Sequence, residues 1–273
     1  MRCCLTNSVN TLRNLIGYRW RIVDLVYSRL PHLSRFSYCP LCSAKLPATG
    51  LKSFNTQCIF NGGAIERYQC PYCDVIFGPK KMFALSNFFL DIEYKLHYSV
   101  YAEGDSTEFE LRAFHALNPK RNRIYLNYGS GTWSNTSETL REDGWKVYDF
   151  DPCVRRKSGQ GKWELSRGML REAKFHGIFS NNVLEHMRHP IRELRAMAAL
   201  LKPNGRMAHA TPCYKYLYEY TRFHLFFYLG NSSSMLFSRA RLHQIGEISD
   251  GDFICKILQK NRQNRLSPRT SLC

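Results

Sequence analysis

Residues 124–136 read IYLNYGSGTWSNT, an apolar run that ends in two glycines one residue apart. The run has the composition of a buried strand, and the signals after it alternate. In order they are strand RIYLNYG, the glycine turn, helix WSNTSETLREDG, strand WKVYDFD, a looser stretch, strand FHGIFSN, helix IRELRAMAALL and strand GRMAHAT, with GDFICKILQK as a closing strand. This alternation predicts an α/β fold, a Rossmann-like, mostly parallel sheet with helices on both faces. Ligands of such sheets sit outside the carboxyl ends of the strands. There Gly129 and Gly131 let the backbone approach a bound group, and the next helix offers its N-terminal amides.

The glycines do not name that ligand. A dinucleotide enzyme needs a third glycine for close helix packing, and Ser134 stands in that place. The following strand ends in Asp149 and Asp151, about 20 residues after the turn, where a carboxylate can accept both hydroxyls of an adenosine ribose.

Ahead of this core stand four cysteines in two pairs. SYCPLCSAKL places Cys39 and Cys42 two residues apart, and RYQCPYCDVIFG repeats the arrangement with Cys70 and Cys73. Two residues between thiolates let one tight turn aim both sulfurs at one ion, and two such knuckles complete a tetrahedral S4 shell. Redox CxxC dithiols come singly, so the paired motif predicts a zinc ribbon with a structural ion. Four cysteine ligands leave no position for water, so the ion holds the fold. Cys58, Cys3, Cys4, Cys153, Cys213, Cys255 and Cys273 have no partner at ligand spacing and read as free thiols. His32 and His97 are the substitutes a looser site would use.

The chain of 273 residues carries 39 Lys plus Arg against 22 Asp plus Glu, a net charge of +17. Its surface favours anionic partners: nucleic acid, nucleotide-linked sugars or anionic membrane. Val9, Leu12, Leu15, Ile16, Ile22, Val23, Val26 and Leu30 recur at helical period between arginines, which predicts an amphipathic N-terminal helix packed on the protein, with contact to a membrane surface as the alternative. No stretch approaches the roughly 20 apolar residues of a membrane span, and the N-terminus lacks the form of a signal peptide. Eleven scattered cysteines without a secretory signal point to a reducing, cytoplasmic setting. The expected organisation is an N-terminal helix over 1–35, the ribbon over 36–80, one or two connecting helices over 81–118, the sheet domain over 119–260 and a basic tail over 261–273.

The block that narrows the chemistry is NNVLEHMRHPIRELRAMAALLKPNGRMAHATP, after the strand GIFSN. Here the sequence resembles the class I S-adenosylmethionine-dependent methyltransferases, in the branch with a VLEH…LLKPGG…TP signature, and the correspondence runs in order over residues 124–212. A ribbon ahead of the domain also recurs in that superfamily, in sugar and in some ribosomal RNA methyltransferases. The resemblance implies that Gly129, Ser130 and Gly131 cradle the methionine portion of S-adenosylmethionine and that Asp151, followed by Pro152, holds the ribose. It places Asn181 and Asn182 at the methyl-transfer centre, with Glu185 and His186 next in the chain. Two positions depart from the pattern. Asn127 stands where the family has an acid, so it orients the loop but gives up a charge that favours the sulfonium, and Phe175-His176 replaces FD.

Methyl transfer to a hydroxyl needs a proton acceptor. His186 is the best placed by motif, with His224 and His209 behind it; against these roles stand a helix-start cap for His186, a core strand for His209 and an aromatic helix for His224. Glu185 is expected either to assist or to fix the turn through backbone amides. In TPCYKYLYEYTRFHLFFYLG, Tyr216, Tyr220, Phe223 and Phe227 share a helical face while Tyr214 to Tyr220 also alternate as a strand would; either way the aromatics read as a cover able to stack on a sugar or base, or as a hydrophobic lid over the sheet. The acceptor expected is a hydroxyl or carbon of a nucleotide-linked sugar or glycan. A ribosomal or transfer RNA enzyme, gripping RNA by the ribbon and basic surface, is the alternative, and a non-enzymatic zinc-containing module is the third.

Overall fold

The computed structural model describes residues 2–30, 35–101, 104–131, 134–152 and 163–261, with side chains from residue 9 onward. His32, most of the basic tail, and the side chains of Cys3, Cys4, Cys153 and Cys273 lie outside these. The elements in chain order are α1 (Arg2–Arg29), β1 (Ser53–Gln57), β2 (Ala64–Gln69), β3 (Ile76–Phe77), α2 (Lys80–Ala84), α3 (Asn87–Val100) and α4 (Thr107–Ala116). Then come β4 (Ile124–Tyr128), α5 (Thr136–Glu142), β5 (Lys146–Phe150), α6 (Arg167–Glu172), β6 (Phe175–Asn181), α7 (Pro190–Ala199) and β7 (Leu201–Ala210). The chain closes with β8 (Phe226–Phe227), α8 (Ser232–Arg239), β9 (Leu242–Asp250) and β10 (Phe253–Lys260).

Six strands form the main sheet in the order β5-β4-β6-β7-β10-β9. The pairs from β5 to β7 are parallel, and β10 runs antiparallel between β7 and β9. Alternation along each strand sends side chains to two separate cores. Leu126, Tyr128, Ile178 and Met207 face α7 and α8, where Leu194, Met197, Leu236 and Phe237 are buried. Tyr125, Phe179, Ala208 and Ala210 face α4 and α5 with Ala113, Phe114 and Leu140. Helices therefore cover both faces, as parallel strands require. Helix α7 shows how the sequence builds such a layer: Pro190 opens it at a position needing no amide, and Leu194, Met197 and Ala198 recur on one face.

The second sheet, β1-β2-β3-β8, joins the cysteine ribbon to the rest of the chain. Its last strand comes from beyond β7, with Ile76 opposite Phe227 and Phe77 opposite Phe226. This corrects the helical reading of residues 211–230. Among the described residues that stretch has a single 3-10 turn, Pro212–Tyr214, then irregular backbone and β8. The cause is Arg67 on β2, whose guanidinium donates to the carbonyls of Glu219 (2.6 Å), Thr221 (2.6 Å) and His224 (2.8 Å). Carbonyls that converge on one cation cannot point along a helix axis. His224 thus lies on irregular backbone rather than on a helix. The connecting region resolves into α3 and α4, and α4 packs on β6 and β7. Helix α8 and strand β9 carry no signal read from the sequence.

Helix α1 joins the same body through Ile16 and Trp20, both buried, while Leu15, Ile22 and Val26 of the expected apolar face are exposed. A polar seam ties it down: Glu93 Oε2 accepts from Trp20 Nε1 and from Arg222 Nη2, both at 3.1 Å. Lys81 Nζ meets Asp24 at 2.6 Å. No helix among the described residues is long and apolar enough to cross a membrane.

His209 on β7 is fully buried, its Nδ1 2.7 Å from Ser180 Oγ, and burial pulls its pKa down to about 3. It is a core residue and too weak a base for catalysis. A folded-state pKa below the unfolded value contributes stability above about pH 6.5 that is lost as pH falls towards the folded value, at up to about 1.4 kcal/mol per pH unit. His209→Gln should therefore flatten the decline of folding free energy between pH 6 and pH 4 relative to wild type, read as a difference between denaturation curves. Parallel curves would contradict it.

Candidate functional site

The carboxyl edge of the sheet brings the glycine turn and Asp151 together. Gly129 and Gly131 both adopt positive φ, 78° and 54°, a region glycine enters without steric cost. A Cβ on Gly129 would fall 2.5 Å from Val183 Cγ2, so the bend also needs glycine for space. The Gly131 amide donates to Asp151 Oδ2 at 2.9 Å, which sets the turn and this carboxylate on one side of the sheet. Asp149 is different: Ser137 Oγ donates to it and Arg141 Nη1 approaches at 3.1 Å, so it fastens α5 to β5.

Asn127 is buried beneath the turn, and its Nδ2 donates to Glu110 Oε2 at 3.0 Å and to Ser137 Oγ at 3.3 Å. Glu110, on α4, also accepts from Ser134 Oγ at 2.8 Å and Ser106 Oγ at 2.6 Å. The carboxylate absent from the strand is thus present in space, carried by a helix from before it. Burial raises the Glu110 pKa and these hydrogen bonds oppose the rise. A cavity of about 120 Å³ opens here among Asn127, Ser134, Ser137, Arg141 and Asp149.

Two buried polar atoms near the turn, Ser130 Oγ and Asn181 Nδ2, make no hydrogen bond among the described residues. Buried polar groups left unpaired are costly, and a polar ligand across the strand ends repays them. An adenosyl cofactor fits this edge: a cradle that a Cβ would fill, a carboxylate beside it and two unsatisfied polar groups. Asn182 has a φ of 52° and is exposed.

Beyond Asn182 the chain makes a 3-10 turn, Leu184–His186. The turn carries Glu185 and His186, and the segment after β7 brings His224 beside them. Glu185, His186 and His224 place one ligand atom each within 4.8 Å of one another, and the imidazole centroids are 4.9 Å apart. Glu185 is fully buried and accepts from Thr211 Oγ1, just beyond β7, at 2.8 Å. His186 Nδ1 lies 3.1 Å from the Phe223 carbonyl and His224 Nδ1 lies 3.1 Å from the Tyr218 carbonyl. A carbonyl only accepts, so both rings carry their proton on Nδ1 and turn Nε2 elsewhere. Burial, with His186 and Arg67 adding to it, holds the His224 pKa well below the usual imidazole range.

The ribbon's four cysteines also converge. Cys39 and Cys73 Sγ are 3.8 Å apart and Cys42 and Cys70 Sγ 3.7 Å. A tetrahedron with Zn–S bonds of about 2.3 Å has edges of about 3.8 Å. The Leu41 and Cys42 amides point at Cys39 Sγ, each at 3.4 Å. Donation from the Cys73 thiol, with these amides, draws Cys39 down to about 5. The donor set and spacing can hold zinc. His97, by contrast, packs among Phe60, Tyr101 and Phe223, remote from any such cluster.

Glu110 and Arg67 are the two residues of the site that sequence reasoning missed. Neither lies in a motif; only the Asn127 departure hinted that a charge had to come from elsewhere.

The family described as a methyltransferase domain matches residues 104–250, more than half of the chain. No curated protein matches it. Similar solved structures include the mitomycin 7-O-methyltransferase MmcR, at 12% identity and a TM-score of 0.45, with 64% of this chain and 58% of that chain covered. The CcbJ methyltransferase from Streptomyces caelestis shares 12% identity, with a TM-score of 0.42 and coverage of 60% and 94%. A complex of the Haloferax volcanii Trm112 activator with a methyltransferase is similar at 14% identity, a TM-score of 0.45 and coverage of 57% and 92%. The chain spans less than two thirds of the mitomycin enzyme's length. By its matched domain the chain belongs to the methyltransferase-domain family.

Proposed function

We propose that the chain methylates a hydroxyl of a nucleotide-linked sugar or glycan. The observation that carries this reading is the company of His224: Tyr216, Tyr218 and Tyr220 stand exposed on the same short segment. Open aromatic faces beside imidazoles suit a sugar ring whose hydroxyl must lose a proton. The bound cofactor supplies a methyl group on a positively charged sulfur. With S-adenosylmethionine bound, Asp151 would accept from the ribose, Ser130 and Asn181 would gain the polar partners they lack, and Gly129 and Gly131 would bring main chain against the methionine portion. Glu110, held by the Asn127 amide, sets a carboxylate beneath the turn. His186 takes the acceptor's proton; Glu185 and His224 hold it in place. The basic surface draws in a diphosphate. That same charge of +17 favours RNA as the second reading. Cys39, Cys42, Cys70 and Cys73 would hold zinc, which would tie the turn between β2 and β3 to the Cys39–Cys42 turn.

Asp151→Asn should weaken S-adenosylhomocysteine binding by calorimetry about 10- to 100-fold, the loss expected of one charged hydrogen-bonding partner. Unchanged affinity would remove Asp151 from the site. Methyl release should occur with nucleotide-sugar or glycan acceptors and fall with His186→Gln; release confined to RNA, with steep salt dependence, would replace the sugar reading. Purified protein should hold one zinc per chain by elemental analysis. Its removal by chelator should lower the melting temperature sharply, since metal binding of this kind is worth roughly 10–16 kcal/mol in apparent free energy. A chain without bound metal and with unaltered melting would refute the ribbon assignment.

A further inference from the structure

We infer that Glu185, His186 and His224 form a second metal centre, one that binds a divalent cation at the acceptor side of the methyl-transfer site. The inference rests on the functional reading above only for the ion's role; the binding itself stands on geometry. The three side chains come from two separate stretches of chain, yet their donor atoms lie within 4.8 Å of one another. An ion with bonds of about 2.1 Å holds neighbouring donors about 3.0–3.5 Å apart, so side-chain shifts of roughly 1 Å close the site.

The rings are already set for ligation. Each gives its Nδ1 proton to a backbone carbonyl, at 3.1 Å in both cases. That outer hydrogen bond is the one that orients metal-binding imidazoles and leaves Nε2 as the ligand atom. Among the described residues neither Nε2 makes a hydrogen bond. Glu185 is fixed by Thr211 at 2.8 Å, an anchored ligating carboxylate of the kind such centres use. Two imidazoles and one carboxylate leave further positions open, the composition of a site that binds exogenous oxygen.

Charge fits the same picture. Arg67 stands behind His224, but its guanidinium is committed to the carbonyls of Glu219, Thr221 and His224. One carboxylate does not neutralise a dication, so an anionic oxygen ligand completes the balance. With the ion bound, His186 is a ligand and no longer takes the acceptor's proton itself: a sugar hydroxyl on the ion, its pKa lowered by the cation, surrenders its proton to solvent and is such a ligand. The oxygen then has the lone pair it needs to attack the sulfonium methyl as the carbon–sulfur bond breaks.

The test uses the full chain with its cysteine cluster filled by zinc and manganese(II) as the probe, since carboxylate and imidazole sites take manganese and thiolate sites do not prefer it. Titration followed by electron paramagnetic resonance should show one bound manganese per chain, and pulsed spectra should show two directly ligated imidazole nitrogens. His224→Gln and His186→Gln should each weaken binding about 10- to 100-fold with zinc content and melting preserved, while His243→Gln, an exposed residue on β9, should bind as wild type. No manganese bound at millimolar concentration, or spectra with oxygen ligands only, overturns the metal centre. Hydroxyl methylation that persists without manganese binding leaves the acceptor reading standing and sinks this one. Manganese binding without sugar methylation does the reverse.

Discussion

The structure turns on one buried cation. Arg67 is 1% exposed and spends its guanidinium on three carbonyls of residues 219–224. Its pKa falls to about 10, chiefly through burial, so the cation is kept only because hydrogen bonds replace its water. The consequence is structural unity. Arg67 belongs to the cysteine ribbon, the carbonyls belong to the segment that carries His224, and neither can move without stranding polar groups of the other. Pairing of β3 with β8 closes the same joint in the backbone.

That joint explains why a small cysteine-rich sheet precedes a methyltransferase domain. The ribbon has little apolar core of its own, and its strands are five, six and two residues long. Fixed at one end by Cys39, Cys42, Cys70 and Cys73, β2 can present a buried arginine at a defined depth. The loop it captures is further held by Thr56, whose Oγ1 donates to the Glu219 carbonyl at 3.1 Å, and by the Leu225 amide, which donates to the Glu185 carbonyl at 2.7 Å. The last bond links the captured loop directly to the turn that carries Glu185 and His186.

Legibility in the sequence follows how local each feature is. The glycine turn, the paired CPxC knuckles and VLEH are short-range patterns, and the positions they name do come together at the strand ends and in the cysteine cluster. The alternation that predicts a parallel sheet is equally local, and the sheet formed as expected from β4 to β7. Residues 211–230 were misread because tyrosine and phenylalanine at helical spacing speak only for side-chain burial. What decides the backbone there is Arg67, about 150 residues earlier, through contacts no periodicity records. Glu110 was invisible for a related reason: it replaces the charge lost at Asn127 from a helix that precedes the strand, and only packing of α4 on the sheet reveals it.

The placement of that carboxylate carries a physical consequence. In a strand, an acid beneath the glycine turn has its charge at a fixed offset from the bend. On α4, Glu110 is buried and reaches the turn through Asn127 and Ser134, so its ionised form is opposed by desolvation and favoured by three donors. A cation arriving above the turn tips that balance towards ionisation, because opposite charge nearby favours the charged form. The free chain therefore holds a buried carboxyl group whose ionised form desolvation opposes, and a cationic ligand above the turn would relieve it. By reciprocity, whatever the ligand contributes to ionising Glu110, Glu110 returns as affinity for the ligand.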